Sequence, residues 1–328
     1  MFEQYVVFGY SDYMKNALAD ILKRKDVVYI DSSEQRKITK NILRLLSTSK
    51  IWWIIQLILL QISPKSLIGI DRIERQKKTC YIFYEGSMFS HNKAFNIYLR
   101  SKHKESKFVH IYTNIIRSND VYDNLKTLLY LKKHKMYDMI ITFNLADANK
   151  YNLVFFEQVF SKVEVDEQKY NKSDIFFCGI DKGRLDIIIQ IYERLTSNGI
   201  VCDFNIVGVK QEKQKYASEI KYHDKLIPNS EMLSMLAGTN CILEILSDTT
   251  QPGASLRMSE SIVFGKKLIT NNKFIKESTL FNGEQMLQFH EVNDIDFDFI
   301  KKKVDHSLFV TKEKISPIRL LEFLDLNL

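Results

Sequence analysis

Apolar residues in this chain come in short runs, and stretches with helical spacing separate them along most of its length. Tyr5-Val6-Val7-Phe8-Gly9-Tyr10 reads as a first strand running into a loop. Residues 16–23 have helical spacing, and residues 27–30 form a second apolar run closed by Asp31-Ser32-Ser33. A strand–helix–strand opening predicts a parallel sheet with helices on both faces. The same grammar gives strands at 79–84, 108–112 and 138–143, with helices at 93–101 and 121–132. Residues 153–156 are either a further short strand or the approach to a second domain. Residues 164–172 are charged and lack apolar periodicity, as an interdomain linker would.

The alternation then restarts. Strands are expected at 174–178, 202–207, 241–246 and 267–270, and a short one at 286–289. Helices are expected at 185–197, closed by Gly199, at 210–220, at 230–236 behind Asn229 as cap, at 300–304 and at 317–328. Another helix starts near Ser255 and stops at Gly265. The expected class is α/β, in two domains covering 1–168 and 169–328.

One segment breaks the pattern. Residues 34–46 are amphipathic, with Ile38, Ile42 and Leu45 on one face and Arg36, Lys40 and Arg44 on another. Residues 51–62 are apolar almost all round and include Trp52 and Trp53. That run is shorter than the roughly 20 residues a membrane-spanning helix needs. Two readings stay open: a buried helix, or a helix lying in the interface of an anionic membrane.

Composition narrows the picture further. With 328 residues, 45% of them hydrophobic, the chain can bury the cores of two domains. Eleven Gly and four Pro exclude a fibrous or low-complexity chain. A formal net charge of +7 suits an anionic partner, or simply reflects a Lys-rich surface. Cys80, Cys178, Cys202 and Cys241 are far apart and sit mostly in apolar runs, so buried thiols are expected rather than a zinc site or redox pair. The start of the chain reads as a strand and not as a secretory leader, so a cytoplasmic location is expected, at the inner face of the membrane if the interfacial reading holds.

The densest chemistry lies between Asp248 and Thr270. Gly253 would let a ligand approach the backbone, and the amides that open the Ser255 helix can face an anion. Arg257 and Glu260 are three apart and share a helical face. Phosphates on the amides and Arg257, with ribose hydroxyls on Glu260, would accommodate a nucleotide. A second candidate is the loop Gly179-Ile180-Asp181-Lys182-Gly183-Arg184, which places two cations at a strand's carboxyl end. There Lys182 or Arg184 would hold a phosphate, or the loop is an ordinary turn with a solvated basic helix start. Glu85, at the end of the 79–84 strand, is a candidate general base or acceptor-binding group, or else a loop carboxylate capping the next helix. His91 is held in reserve.

Other signals carry less. Asp294-Ile295-Asp296 fits a short metal–nucleotide pattern but lies outside any nucleotide-binding strand and loop, so a solvated turn is expected. Walker, Gly-x-Gly-x-x-Gly, His-Glu-x-x-His and Gly-x-Ser-x-Gly patterns are absent. The aromatic residues fall mostly in strand-like runs, where core packing explains them better than nucleic-acid stacking.

Residues 177–184, the segment Gln251-Pro252-Gly253-Ala254-Ser255-Leu256-Arg257, and residues 260–270 together resemble bacterial sugar transferases of the GT-B fold. The nearest likeness is to those that build capsule, exopolysaccharide and lipopolysaccharide. The resemblance covers residues 174–272 well and the first half only in layout. It implies two Rossmann-like domains facing across a cleft, the first on the acceptor side and the second binding a nucleotide sugar. It also implies transfer, without metal or other cofactor, to a saccharide acceptor of the lipid-linked kind. By this resemblance Gly179, Lys182, Arg184, Gln251, Gly253, Ser255, Arg257 and Glu260 bind the donor. Glu260 holds its ribose, and Arg257 and Glu85 are the catalytic candidates. Many retaining members carry a second Glu eight positions before the ribose-binding one, and here that position is Pro252. The alternatives are a non-catalytic, membrane-associated relative and a nucleotide-sugar epimerase.

Overall fold

The computed structural model describes residues 1–35, 69–103, 105–118, 123–166, 168–247, 255–302 and 305–328. The amphipathic and Trp-bearing segment at 36–68 lies outside them, as do Gln251, Pro252 and Gly253. The chain divides into two compact units, Met1–Ser161 with Ser316–Leu328, and Lys162–Ile315. Each is built on a parallel sheet of six strands.

In the first unit the strands are β1 (Gln4–Gly9), β2 (Val27–Asp31), β3 (Thr79–Tyr84), β4 (Lys107–Tyr112), β5 (Met139–Thr142) and β6 (Val154–Phe155). Between them run the helices α1 (Asp12–Ala17), α2 (Ala19–Leu22), α3 (Lys93–Lys102), α4 (Asn124–Lys133) and α5 (Leu145–Tyr151). The sheet order is β2-β1-β3-β4-β5-β6. Neighbouring side chains on a strand point to opposite faces, and both faces are apolar. Tyr5 and Val7 join Cys80 and Ile82 in one core cluster. Val6 and Phe8 join Tyr81 and Phe83 in the other, where Phe8 and Phe83 stack 4.4 Å apart.

In the second unit the strands are β7 (Ser173–Ile180), β8 (Cys202–Val207), β9 (Lys221–His223), β10 (Thr239–Glu244), β11 (Lys267–Thr270) and β12 (Met286–Gln288). The helices are α6 (Leu185–Ser197), α7 (Asn229–Ala237), α8 (Leu256–Phe264) and α9 (Phe297–Lys301). The order β12-β11-β10-β7-β8-β9 is the doubly wound arrangement, with its reversal between β7 and β10. Ile175, Phe177, Phe204, Ile206, Leu243 and Ile269 face one core cluster, completed by Ile188, Ile191 and Leu195 of α6. The alternate positions Cys178, Asn205 and Glu244 are absent from that cluster, which makes the other face partly polar near the strands' carboxyl ends.

Three departures from the pattern have physical causes. Residues 210–220 form a short 3₁₀ turn and irregular chain instead of a helix, and Tyr216 sits at φ +53°. The segment is rich in Lys, Gln and Glu and has no apolar stripe to bury, while the strand after it, β9, is only three residues long. Asn229 gives its helix no side-chain cap, because Pro228 stands at that position. The terminal helix, α10 (Pro317–Asn327), follows the second unit in sequence but folds onto the first, where Leu320, Leu321 and Leu324 pack with Tyr5 and Val7. A single boundary at 168/169 therefore misplaces this helix. No helix among the described residues is long and apolar enough to cross a membrane. All four cysteines are free; Cys80 and Cys241 are fully buried and Cys178 and Cys202 partly so.

Candidate active site

In a doubly wound sheet the ligand crevice opens at the carboxyl ends of the strands where the order reverses. In the second unit that point lies between β7 and β10, which pair from Thr239 with Ser173 to Ile242 with Phe176. The expected loop and the expected helix both start there: the 181–184 turn leaves β7, and α8 follows the loop after β10.

The local sequence sets α8 as expected. Ser255 is its N-cap, and its hydroxyl accepts the Met258 amide at 3.1 Å. Gly265 ends it at φ +60°, a conformation that glycine adopts without penalty. The helix packs one side inward, so the Arg257–Glu260 spacing becomes a contact. The Arg257 guanidinium donates to the Glu260 carboxylate, to the Cys178 carbonyl at 2.8 Å and to Met232 Sδ at 3.1 Å. The Arg257 side chain stays 20% exposed and that of Glu260 only 2%. Burial pushes the Glu260 carboxyl upward against the pull of Arg257, while the carboxylates around Arg257 hold it firmly charged. A polarised pair with a solvent-facing edge thus stands beside the helix start.

The 179–184 loop is built differently from its phosphate-binding expectation. The Asp181 carboxylate accepts the Arg184 amide at 3.0 Å and the Leu185 amide at 2.8 Å, so the chain's own anion fills the front of α6. It also offsets the two cations that the sequence places against the helix dipole. Arg184 reaches back and donates to the carbonyls of Ile180, Asp181 and Ile245. Its guanidinium thereby ties the ends of β7 and β10 together across the reversal point. Gly179 makes room for it: a β-carbon there would stand 3.3 Å from Arg184 Nη2 and 3.3 Å from the Phe177 ring. Lys182 is exposed, at φ +46° on the tip of the turn. Asp181 thus occupies the front of α6, whereas α8 opens on the Ser255 cap with Arg257 and Glu260 on its first turns.

Sequence reasoning passed over Glu244. It is 6% exposed at the carboxyl end of β10, and it accepts a hydroxyl hydrogen bond from Thr270 at 2.7 Å. A carboxylate inside an otherwise apolar run of six residues was the available signal, because a buried acid needs partners. Asn271 is the other omission. It brackets Leu246, accepting its amide at 2.6 Å and donating to its carbonyl at 3.1 Å, which fixes the chain as it leaves β10.

In the first unit the reversal point lies between β1 and β3. The Tyr10 ring lies directly over Gly86, where a β-carbon would stand 2.5 Å from it. Glu85 is there too, but its oxygens are taken. They accept the amides of Thr113 at 3.2 Å and Asn114 at 3.1 Å, and the side-chain amides of Asn114 at 3.1 Å and Asn124 at 2.9 Å. The carboxylate works as a staple for the chain leaving β4. Glu85→Gln keeps one acceptor oxygen and gives up the charge. It should cost about 1–3 kcal/mol, read as a lower midpoint in thermal denaturation; an unchanged midpoint would remove the staple role. His91 is exposed, and its Nδ1 is 3.3 Å from Ser90 Oγ. Asp294 and Asp296 are turn and cap groups: Asp294 accepts the His290 and Glu291 amides, and Asp296 those of Asp298 and Phe299. Among the described residues no three His, Cys, Asp or Glu side chains gather as metal ligands would.

Two parallel six-stranded Rossmann-like sheets, each with its reversal point, make this an α/β protein of GT-B-like fold. It is similar over 99% of its length to 98% of a UDP-forming α,α-trehalose-phosphate synthase from Burkholderia xenovorans, with a TM-score of 0.59 and 11% identity. A glycosyltransferase from Rickettsia africae covers 98% of this chain and is covered over 97% of its own, with a TM-score of 0.55 and 13% identity. A Listeria monocytogenes protein assigned as a UDP-N-acetylglucosamine 2-epimerase covers 98% and is covered over 95%, with a TM-score of 0.50 and 8% identity. No protein-family model matches the chain, and no curated protein matches it in sequence.

Proposed function

We propose that this protein is a glycosyltransferase that takes its sugar from a nucleoside-diphosphate donor bound to the second unit. The observation that carries this reading is the Arg257–Glu260 pair on the first turns of α8, beside the reversal point of a doubly wound sheet. Such a helix front offers backbone amides and a positive dipole end to a diphosphate. Arg257 adds a fixed cation, and Glu260 offers a carboxylate to the ribose hydroxyls. In sugar transfer, negative charge grows on the departing diphosphate. Donors already aimed at that position lower the barrier, each by about 3 kcal/mol. Gln251 and Gly253 belong to the same proposed donor site through the motif they share with Ser255 and Arg257. The names of two similar structures, a UDP-forming synthase and a glycosyltransferase, support the donor class. A saccharide acceptor that carries a lipid, a role in surface polysaccharide, and placement at the inner membrane face rest on the sequence resemblance alone.

Incubation with a panel of nucleotide sugars tests the proposal. Slow release of nucleoside diphosphate, accelerated by a saccharide acceptor, is the expected result. Interconversion of the sugar without acceptor would make the protein an epimerase, an activity named for one similar structure. Binding with neither outcome would make it a non-catalytic component.

A further inference from the structure

One cavity of the first unit lies away from the carboxyl ends of its strands. Its volume is about 200 Å³, and it is lined by the segment 70–75 and by the end of α3. Residues 70–75 lead into the amino end of β3, and His103 closes α3 just before β4 starts at Lys107. The cavity therefore sits at the amino ends of the strands, and it stands or falls apart from the donor site. Part of its wall is apolar: Ile73 and Leu99 are buried, and Ile70 packs on the same core cluster. His103 is 7% exposed, its ring is set edge-on to Tyr81 at 5.6 Å, and its Nδ1 is buried without a hydrogen-bond partner. A buried polar atom of this kind calls for a partner. Burial, and then the charge of Arg75, hold this imidazole below its ordinary range, so it is neutral near pH 7 and can carry its proton on Nδ1.

Two cations, Arg75 and Lys102, complete the lining. Cations close to them in sequence are paired, Lys77 with Glu74 and Arg100 with Asp138. Arg75 and Lys102 have no carboxylate within ion-pair distance among the described residues, and the Lys102 ammonium instead lies 5.9 Å from the centre of the Tyr98 ring. The helix dipole accounts for a cation at the end of α3, but not for Arg75, which belongs to another segment. Asp71 is the one acid of the lining, so two cations against one carboxylate leave a single positive charge. That balance suits a monoanion. A cavity of about 150 Å³ accommodates a benzene ring, so this one has room for such a body with a small charged head. We propose that the cavity binds a small monocarboxylic acid: Arg75 and Lys102 hold its carboxylate, His103 donates to it, and its apolar body lies against Ile70, Ile73 and Leu99. An Arg–carboxylate contact of this kind is a charge-assisted hydrogen bond.

The test is a fluorine NMR titration of para-fluorobenzoate into the full chain, with para-fluorobenzyl alcohol as the same body without the charge. The acid should bind, and the alcohol should bind about tenfold more weakly or less. Hexanoate should displace the acid, whereas acetate and inorganic phosphate should not. Arg75→Gln should weaken binding about tenfold, and Arg75→Gln with Lys102→Gln about a hundredfold. Arg75 is exposed and Lys102 half-buried, so both variants should keep the wild-type melting temperature. Ile70→Trp, at a half-buried position, should block the cavity with its charges left in place. Failure of the acid to bind the wild type overturns the site. Equal binding of the alcohol, or displacement by phosphate, overturns its assignment to a monocarboxylate. Unchanged binding in the double Gln variant or in Ile70→Trp places the acid elsewhere and overturns the proposal.

Discussion

Replacing Arg257 with alanine is expected to abolish sugar transfer and to destabilise the second unit by about 3 kcal/mol. The two losses have different origins. The stability loss comes from Glu260, whose side chain is 2% exposed and would be left without its cation. The Cys178 carbonyl would also lose its guanidinium donor. The catalytic loss comes from removing the positive group beside the proposed diphosphate position. A second variant separates them. Arg257→Met with Glu260→Gln removes both charges while keeping much of the volume, and replacing a buried ion pair in this way is often close to neutral for stability. That double variant should melt near the wild type and still transfer no sugar. Transfer by either protein at the wild-type rate would contradict the role given to Arg257. Denaturant titration and a coupled assay for nucleoside diphosphate release supply the two readouts.

Glu260→Gln alone should weaken donor binding by about ten- to a hundredfold, the loss expected when a hydrogen bond to a charged group becomes a neutral one. The amide can still accept from Arg257, so stability should fall less than in Arg257→Ala. If Glu260 holds the ribose, a nucleoside diphosphate and its sugar conjugate should lose affinity alike, because both carry the same ribose. A loss confined to the sugar conjugate would move Glu260 from the ribose to the sugar.

Much of the fold was legible because the strands are buried on both faces and announce themselves as continuous apolar runs. β3, β8 and α6 fall at the residues the pattern marks, and so do the Ser255 cap and the Gly265 stop. β9 was not legible, since three residues behind an irregular polar segment carry no periodicity. Nor was the return of α10 to the first unit, because its apolar face reads the same whichever core it joins. In the site, the Arg257–Glu260 contact follows directly from helical spacing. The Asp181 cap and the Arg184 tie do not. Both depend on how the turn after β7 bends, with Lys182 and Gly183 at positive φ, and on the neighbouring strand that only the sheet order brings alongside. Glu85 shows the reverse case: a strand-end acid looks the same in sequence whether it meets a substrate or four N–H donors.

The central claim is that the front of α8, with Arg257 and Glu260, holds a nucleoside diphosphate. Titration calorimetry of the uridine, guanosine, thymidine and cytidine diphosphates into the wild type and the Arg257→Met, Glu260→Gln double variant tests it most directly. At least one diphosphate should bind the wild type and fail to bind the double variant. Equal binding to both proteins, or none to the wild type, would contradict it.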